Sequence, residues 1–221
     1  MSLIGDEMVN VMEANTVGSN LSQHQRTRVA LAPGALDTAI VKLMRNAVLG
    51  GDPKARTTLV APTEATLFQG HDLWFSGDRA RLPNDVIKDL RATGATHLLL
   101  LSKHRSDAWL QATHGNLGVG QLEGLGYYVN HTEEMFNQQT LVNARGWLAP
   151  YAHLRLALID LEDGRILAQQ RLRASRVLVN TRPDVDPSPW NAVPNEKKLS
   201  VLLDLVHQAV DEAVPKVMAP S

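Results

Sequence analysis

The sequence predicts an α/β (α+β) protein: a mixed sheet with a long antiparallel hairpin, amphipathic helices packed on that sheet, and a C-terminal helix. Three observations predict it. "HLRLALIDLEDGRILAQQRLRAS", His153 to Ser175, alternates, turns at Asp163-Gly164 and alternates again, the pattern of two half-buried antiparallel strands. "THLLLL", Thr96 to Leu101, is apolar throughout, as a strand buried on both faces is. Leu199, Leu202, Leu203, Val206, Ala209, Val210 and Ala213 recur at helical spacing, a stripe that must pack on something, most simply the sheet.

In chain order, "MVNVMEA", Met8 to Ala14, alternates and reads as a strand, and the polar "NTVGSNLSQHQRTR" after it reads as an exposed loop. A helix follows from about Asp37, whose carboxylate is an N-cap candidate. Leu36, Ile40, Leu43, Met44 and Ala47 form its apolar face, and Gly50-Gly51-Asp52-Pro53 ends it. Thr57 to Ala61 reads as a short buried strand stopped by Pro62. Val86, Ile87 and Leu90 predict a short helix, and Gly94 suits the left-handed position behind it. Residues 102–150 read as an irregular excursion, within which "HGNLGVGQLEGLGYYVNH" has the glycines of a bulged or closely approached strand. In the hairpin Leu154, Leu156 and Leu158 point to one face, with Arg155 and Ala157 on the other. The return strand has Ile166, Ala168, Leu172 and Ala174 inward, with Gln169, Arg171 and Arg173 on the wet face. Asp163-Gly164 reads as a two-residue turn with φ above zero. Asn180 to Asn195 is proline-rich and irregular, and the last helix runs from about Glu196 to Val214 until Pro215 stops it. There is no internal repeat, so residues 1–221 read as a single domain.

Composition bounds the function. The chain has 221 residues, 44% hydrophobic and 20% charged, with a formal net charge of −1. That length buries a sizeable core without staples. The near-neutral balance, with no basic stripe, predicts no nucleic-acid partner. Cysteine is absent, which removes disulfides, thiolate zinc sites and cysteine nucleophiles together. No run approaches the ~20 apolar residues that cross a bilayer, so no transmembrane segment is expected. Met1-Ser2-Leu3-Ile4-Gly5 begins inside what reads as the end of a strand, which points to an upstream segment, such as an export signal, in the natural protein.

The chemistry-bearing residues argue against catalysis. "LIGDEM" resembles the Gly-Asp-Ser block of the GDSL hydrolases, but Glu7 stands where that motif needs serine, and a carboxylate cannot replace the hydroxyl in acyl transfer. Gly118, Gly120 and Gly124 miss the dinucleotide fingerprint by one position, and "VLGGDPKART" lacks the Gly-Lys-Ser/Thr of a P-loop. No cofactor is expected. Of the eight histidines, no two sit at His-x-His or His-x-x-x-His spacing, so no metal is assigned; His104, His114 and His131 are the candidates should distant histidines converge. The candidate binding residues are Tyr127, Tyr128 and His131. Aromatics on an irregular segment offer a partner apolar area at low entropic cost, and strand alternation sends the two tyrosines to opposite faces, so at most one is expected in the core.

"LPNDVIKDLRATGATHLLLLS", Leu82 to Ser102, resembles the helix, Gly-Ala-Asp, strand segment of several bacterial envelope lipoproteins. "AHLRLALIDLEDGRILAQQRLRAS", Ala152 to Ser175, is similar to their leucine-rich hairpin. The families are the curli-secretion-channel-like lipoproteins, the lipoprotein activators of penicillin-binding proteins and the TolB amino-terminal domain; similar segments occur in uncharacterised proteobacterial exported proteins. The likeness covers those two segments and the final helix, at the level of topology. It departs at Thr96, where those families often have aspartate, and in the long 102–150 insertion. What the resemblance implies is a mixed sheet with helices packed on it, in a periplasmic or envelope-associated, accessory protein.

The expected function is therefore a non-enzymatic exported or envelope-associated domain that binds a partner protein or a cell-wall component. The alternatives are a small-ligand or metal-binding module using residues 102–150, and a hydrolase of unrecognised type. Since an unadorned hairpin is scaffold, function is expected on the loops.

Overall fold

The computed structural model describes residues 1–14, 24–62, 65–68, 70–113, 115–137, 142–181 and 187–219. In chain order the elements are β1 (Ser2–Leu3), β2 (Glu7–Met12), β3 (Gln25–Ala30), α1 (Ala35–Gly51), β4 (Phe75–Ser76), β5 (Arg79–Ala80) and α2 (Asn84–Ala92). They continue with β6 (His97–Lys103), β7 (Arg105–Asp107), β8 (Leu110–Ala112), β9 (Gly115–Leu117), β10 (Gln121–Asn137), β11 (Val142–Asp160), β12 (Ile166–Ser175) and α3 (Lys198–Met218). The expected α+β architecture, with its mixed sheet and C-terminal helix, is present.

The main sheet is organised around β11. Along one edge, β10 pairs antiparallel with its first part, from Asn137↔Val142 to Gly124↔His153. Then β6 takes over the same edge, from Lys103↔Leu154 to His97↔Asp160. β12 lies along the opposite edge, from Ser175↔Tyr151 to Ile166↔Ile159. β1 pairs parallel with β6 and β2 parallel with β10, β3 adds antiparallel to β2, and β7 caps the start of β10.

One face is covered by helices. Leu154, Leu156, Leu172, Leu101 and Leu125 meet Ile40 and Met44 of α1 and Val206, Val210 and Val214 of α3. Farther along, Tyr127, Val129 and Leu148 meet Leu202 and Val193. Among the described residues the other face is covered only at its two ends. At one end α2 and its flanks bring Leu82 and Leu90 onto Leu98, Leu100, Ala157 and Ile159. At the other, Leu110 closes over Leu122, Tyr128, Trp147 and Tyr151.

Two buried polar clips lock the helices in place. Asp37 does not cap α1; the cap position is Gly34. Its buried carboxylate instead accepts from Ile4 N–H (2.9 Å), Gly5 N–H (2.8 Å) and the Ser2 hydroxyl, tying α1 to the chain after β1. At the start of α3, buried Lys198 donates through Nζ to the Trp190 (3.0 Å) and Val193 (2.5 Å) carbonyls and sits 4.1 Å from the Trp190 ring centroid. This ties the proline-rich segment to the helix. Burial holds the Lys198 pKa below its ordinary value.

Several sequence expectations are corrected. Residues 102–150 are not an irregular excursion: they hold most of the two longest strands, β10 and β11. The polar run after β2 returns as β3 at Gln25–Ala30, while residues 15–23 lie outside the described residues. Thr57 to Ala61 has no strand partner among the described residues, and Thr57 to Leu59 are exposed. Pro215 does not end α3, which continues to Met218 because Val214 and Val217 are buried in the core and hold the last turn. The hairpin is present, but its connection runs from Leu161 to Arg165, closed by Gly164 N–H to Asp160 O (3.0 Å) and Asp160 N–H to Arg165 O (2.9 Å). A bulge between the Leu158↔Ala168 and Ile159↔Ile166 pairs turns Ile166 onto the open face, against the inward expectation. Among the described residues no helix is long and apolar enough to cross a membrane.

Two glycines are tied to geometry. Gly126 lies where β10 meets β2, and a Cβ there would collide with the Val9 carbonyl. Gly164 has φ +74°, and a Cβ would come 2.8 Å from the Ala80 carbonyl oxygen. Gly164→Val is expected to lower the unfolding free energy by about 1 kcal/mol or more, since a β-branched residue resists that backbone. Urea unfolding monitored by circular dichroism measures this; an unchanged midpoint contradicts it.

Candidate anion-binding cleft

The uncovered centre of the open face is polar because of the register. With Leu154 and Leu156 under the helices, alternation sends His153 and Arg155 to the open side. Pairing aligns them with neighbours of like character: Ser102, Arg155 and Arg171 form one row across β6, β11 and β12, and His104, His153 and Arg173 form the next. No helix crosses these rows, and a cleft of about 300 Å³ opens over them, lined by Phe75, Gly77, His104, Arg105, Arg155, Gln169 and Arg171.

Arg155 and Arg171 are directly opposed across the β11–β12 ladder, an arrangement that costs a few tenths to ~1 kcal/mol for like charges. The Arg155 guanidinium stacks 4.3 Å from the Phe75 ring centroid, and Nη2 donates to His104 Nδ1 at 3.2 Å. An arginine can only donate, so Nδ1 is the acceptor in this contact. Arg105 and Arg171 are exposed, and neither has a carboxylate within 4.0 Å among the described residues. The acidic residue in register with Arg105 is Glu123 on β10. Among the described residues no acidic side chain lines the cleft. Arg173 stands beside it, 5.5 Å from the Trp109 ring centroid.

Beneath the cleft, the Ser106 hydroxyl and His153 Nδ1 are 2.7 Å apart. This is hydrogen-bond reach for a nucleophile and base, but the third member is missing: His153 Nε2 is buried with no partner among the described residues. Burial, with Arg173 and then His104 adding repulsion, pushes the His153 pKa down to about 4. Such a weak base has little driving force to take a serine proton at neutral pH. The pair reads as a hydrogen bond that orients the imidazole.

The residues expected from sequence to carry the site lie elsewhere. Tyr127 and Tyr128 do face opposite sides, but both sides are covered there and both rings are fully buried, which removes them as an exposed partner surface. Tyr127 packs edge-on against Trp190 and donates to the Lys198 carbonyl (2.8 Å). Tyr128 stacks on Trp147 at 5.4 Å between centroids. Desolvation raises both phenol pKa values. His131 is exposed on the arm formed by β10 and β11. It does not converge with His104: His131 lies against Gly146 and His104 beside His153, seven residues along β11 and so roughly 23 Å apart. His114 lies outside the described residues, and among those described no group of His, Asp or Glu could hold a metal ion. Alternation had placed Arg171 and Arg155 each on the face away from the leucines. The pairing of those two faces, and the place of His104 and Arg105 beside them, required the register.

Compared with known proteins, the chain matches no family model, no curated protein and no solved structure. Function has to be reasoned from the geometry.

The buried His153 makes folding pH-dependent. Its folded pKa of about 4 lies below the ordinary 6.5, so between those values the unfolded chain binds the extra proton. Stability is complete above pH ~6.5 and falls as pH drops toward 4, by on the order of 3 kcal/mol from this group. His153→Asn is expected to flatten that part of the profile whatever its effect on the baseline. Denaturant unfolding at a series of pH values tests this; an equal slope in the variant refutes it.

Proposed function

We propose that the protein is a non-catalytic binding domain whose ligand presents a carboxylate or phosphate to the cleft of Arg105, Arg155 and Arg171. One observation carries the reading: Arg155 and Arg171 stand opposed across the β11–β12 ladder, with the exposed Arg105 and Arg171 lining the same cleft, and among the described residues no acidic side chain lines it. An anion between the two guanidinium groups turns their repulsion into attraction, and each charge-assisted hydrogen bond contributes about 1.5–3 kcal/mol. The volume, about 300 Å³, is at the small end of ligand pockets. It suits a small anion or the anionic head of something larger. Phe75, with Arg155 against its ring, fixes one wall.

The envelope setting belongs to the same proposal. It is supported by the resemblance of Leu82–Ser102 and Ala152–Ser175 to envelope lipoproteins, and it makes an envelope protein or cell-wall component the bearer of the anion. Fractionation of cells expressing the full natural gene tests the compartment; recovery only with cytosolic markers contradicts it.

Titration calorimetry with inorganic pyrophosphate tests the cleft. Binding is expected in the millimolar range or tighter, weakened by added salt as exposed charge pairs are, and at least tenfold weaker in Arg105→Gln/Arg171→Gln. Absence of heat up to about 10 mM, an affinity weaker than ~3 kcal/mol, or unchanged affinity in the double variant, defeats the proposal.

A further inference from the structure

β12 is an edge strand with an open side. Its inner edge pairs with β11 throughout. On the outer edge Ile166 N–H reaches the Asp78 carbonyl (2.7 Å), and near the other end Gln111 N–H meets the Ser175 hydroxyl (2.8 Å). Between these ends, from Leu167 to Ala174, the outer edge makes no backbone hydrogen bond to another segment among the described residues. Eight residues offer roughly 26 Å of pairing template.

Open edges are normally blunted by proline, short length, a bulge, a covering element or charged side chains, and the last of these limits what pairs there to chains of opposite charge. β12 has ten residues and no proline, and its bulge lies at the Ile166 end. A groove of about 280 Å³ runs beside it, with Leu205, Ala209 and Ala213 of α3 on one side and Arg171 and Arg173 on the other. Both arginines are exposed and lack a carboxylate within 4.0 Å among the described residues. Glu212 lines the helix side.

We propose that β12 accepts an extended acidic peptide segment as an added strand. Glu or Asp at alternate positions faces Arg171 and Arg173, and small apolar residues between them face Leu205 and Ala209. The alternation follows from the two-residue period of a strand. Glu212 repels acid on the helix side and so selects which alternate positions carry it. Trp109, 51% exposed beside Arg173, offers a surface to the methylenes of a glutamate. Arg171 also lines the anion cleft, but the edge site differs from it in using the β12 backbone as a binding partner.

The test uses the full chain and a fluorescein-labelled (Glu-Ala)4 peptide, read by fluorescence anisotropy and by amide hydrogen exchange. Expected are a dissociation constant below about 1 mM and slowed exchange confined to 167–174. Binding should weaken at least tenfold when alternate peptide amides are N-methylated, and for (Lys-Ala)4. Arg173→Glu should weaken (Glu-Ala)4 at least tenfold. If pyrophosphate fails to bind and the peptide still does, the edge site stands and the cleft reading falls. No anisotropy change up to ~1 mM, or equal binding of the N-methylated peptide without slowed exchange at 167–174, overturns the proposal.

Discussion

The structure depends on the backbone pairing of β11. This strand has 19 residues; β10 and then β6 pair along one edge, and β12 pairs along the other from Tyr151 to Ile159. Because all three partners are registered to it, β11 decides which face every neighbouring side chain takes. Ala152, Leu154 and Leu156 go to the helices; Tyr151, His153, Arg155, Ala157 and Ile159 go to the open face. A slip of one residue would carry Arg155 under α1 and α3 and bring the leucines out. A buried charge without a partner costs several kcal/mol, so apolar burial and arginine exposure specify the same register.

What was legible in the sequence follows from what is local. The hairpin, β6, α2 with Gly94 behind it, and α3 each declare themselves by a short-range period or a turn residue. The long strand β10 is legible only in its first part, up to His131, where the glycines mark a strand closely approached by another, and its signal is interrupted. Gly124 takes φ +70° and Gly126 is dictated by the approach of Val9, so neither position carries the β-branched or aromatic residue that marks a strand. A register shift between Asn130 and Glu134 then breaks the alternation, and the polar "NHTEEMFN" reads as loop although it pairs back on β11. Thr57 to Ala61 fails in the opposite direction: among the described residues its strand-like composition finds no edge to pair with.

The site was half legible for the same reason. Alternation alone puts Arg155 on one side of its strand and Arg171 on one side of its own. That the two sides coincide, and that they meet at opposed positions, is a property of the pairing. The tyrosines mislead because strand alternation says which face a side chain takes but not whether that face is covered. Tyr127 meets the clip built by Lys198 and Trp190, and Tyr128 meets Trp147 and the segment around Leu110. Both covers come from distant parts of the chain.

The open face is also where the sequence departs from its own pattern. One step along the same strands, Leu98, Leu100, Ala157 and Ile159 make an apolar row that packs under α2. A chain under pressure for stability alone would extend that row with more leucine and valine. Instead Ser102, His153 and Arg155 follow, Arg155 faces Arg171, and the Ser102 hydroxyl and His153 Nε2 are buried without hydrogen-bond partners among the described residues. Each such atom costs on the order of 1–3 kcal/mol, and the opposed cations add to that. Agreement between local preference and fold is the rule in proteins, and the places that break it are where a requirement other than folding is being met. Here the break is confined to two adjacent rows of one sheet, and the cleft lies directly above them.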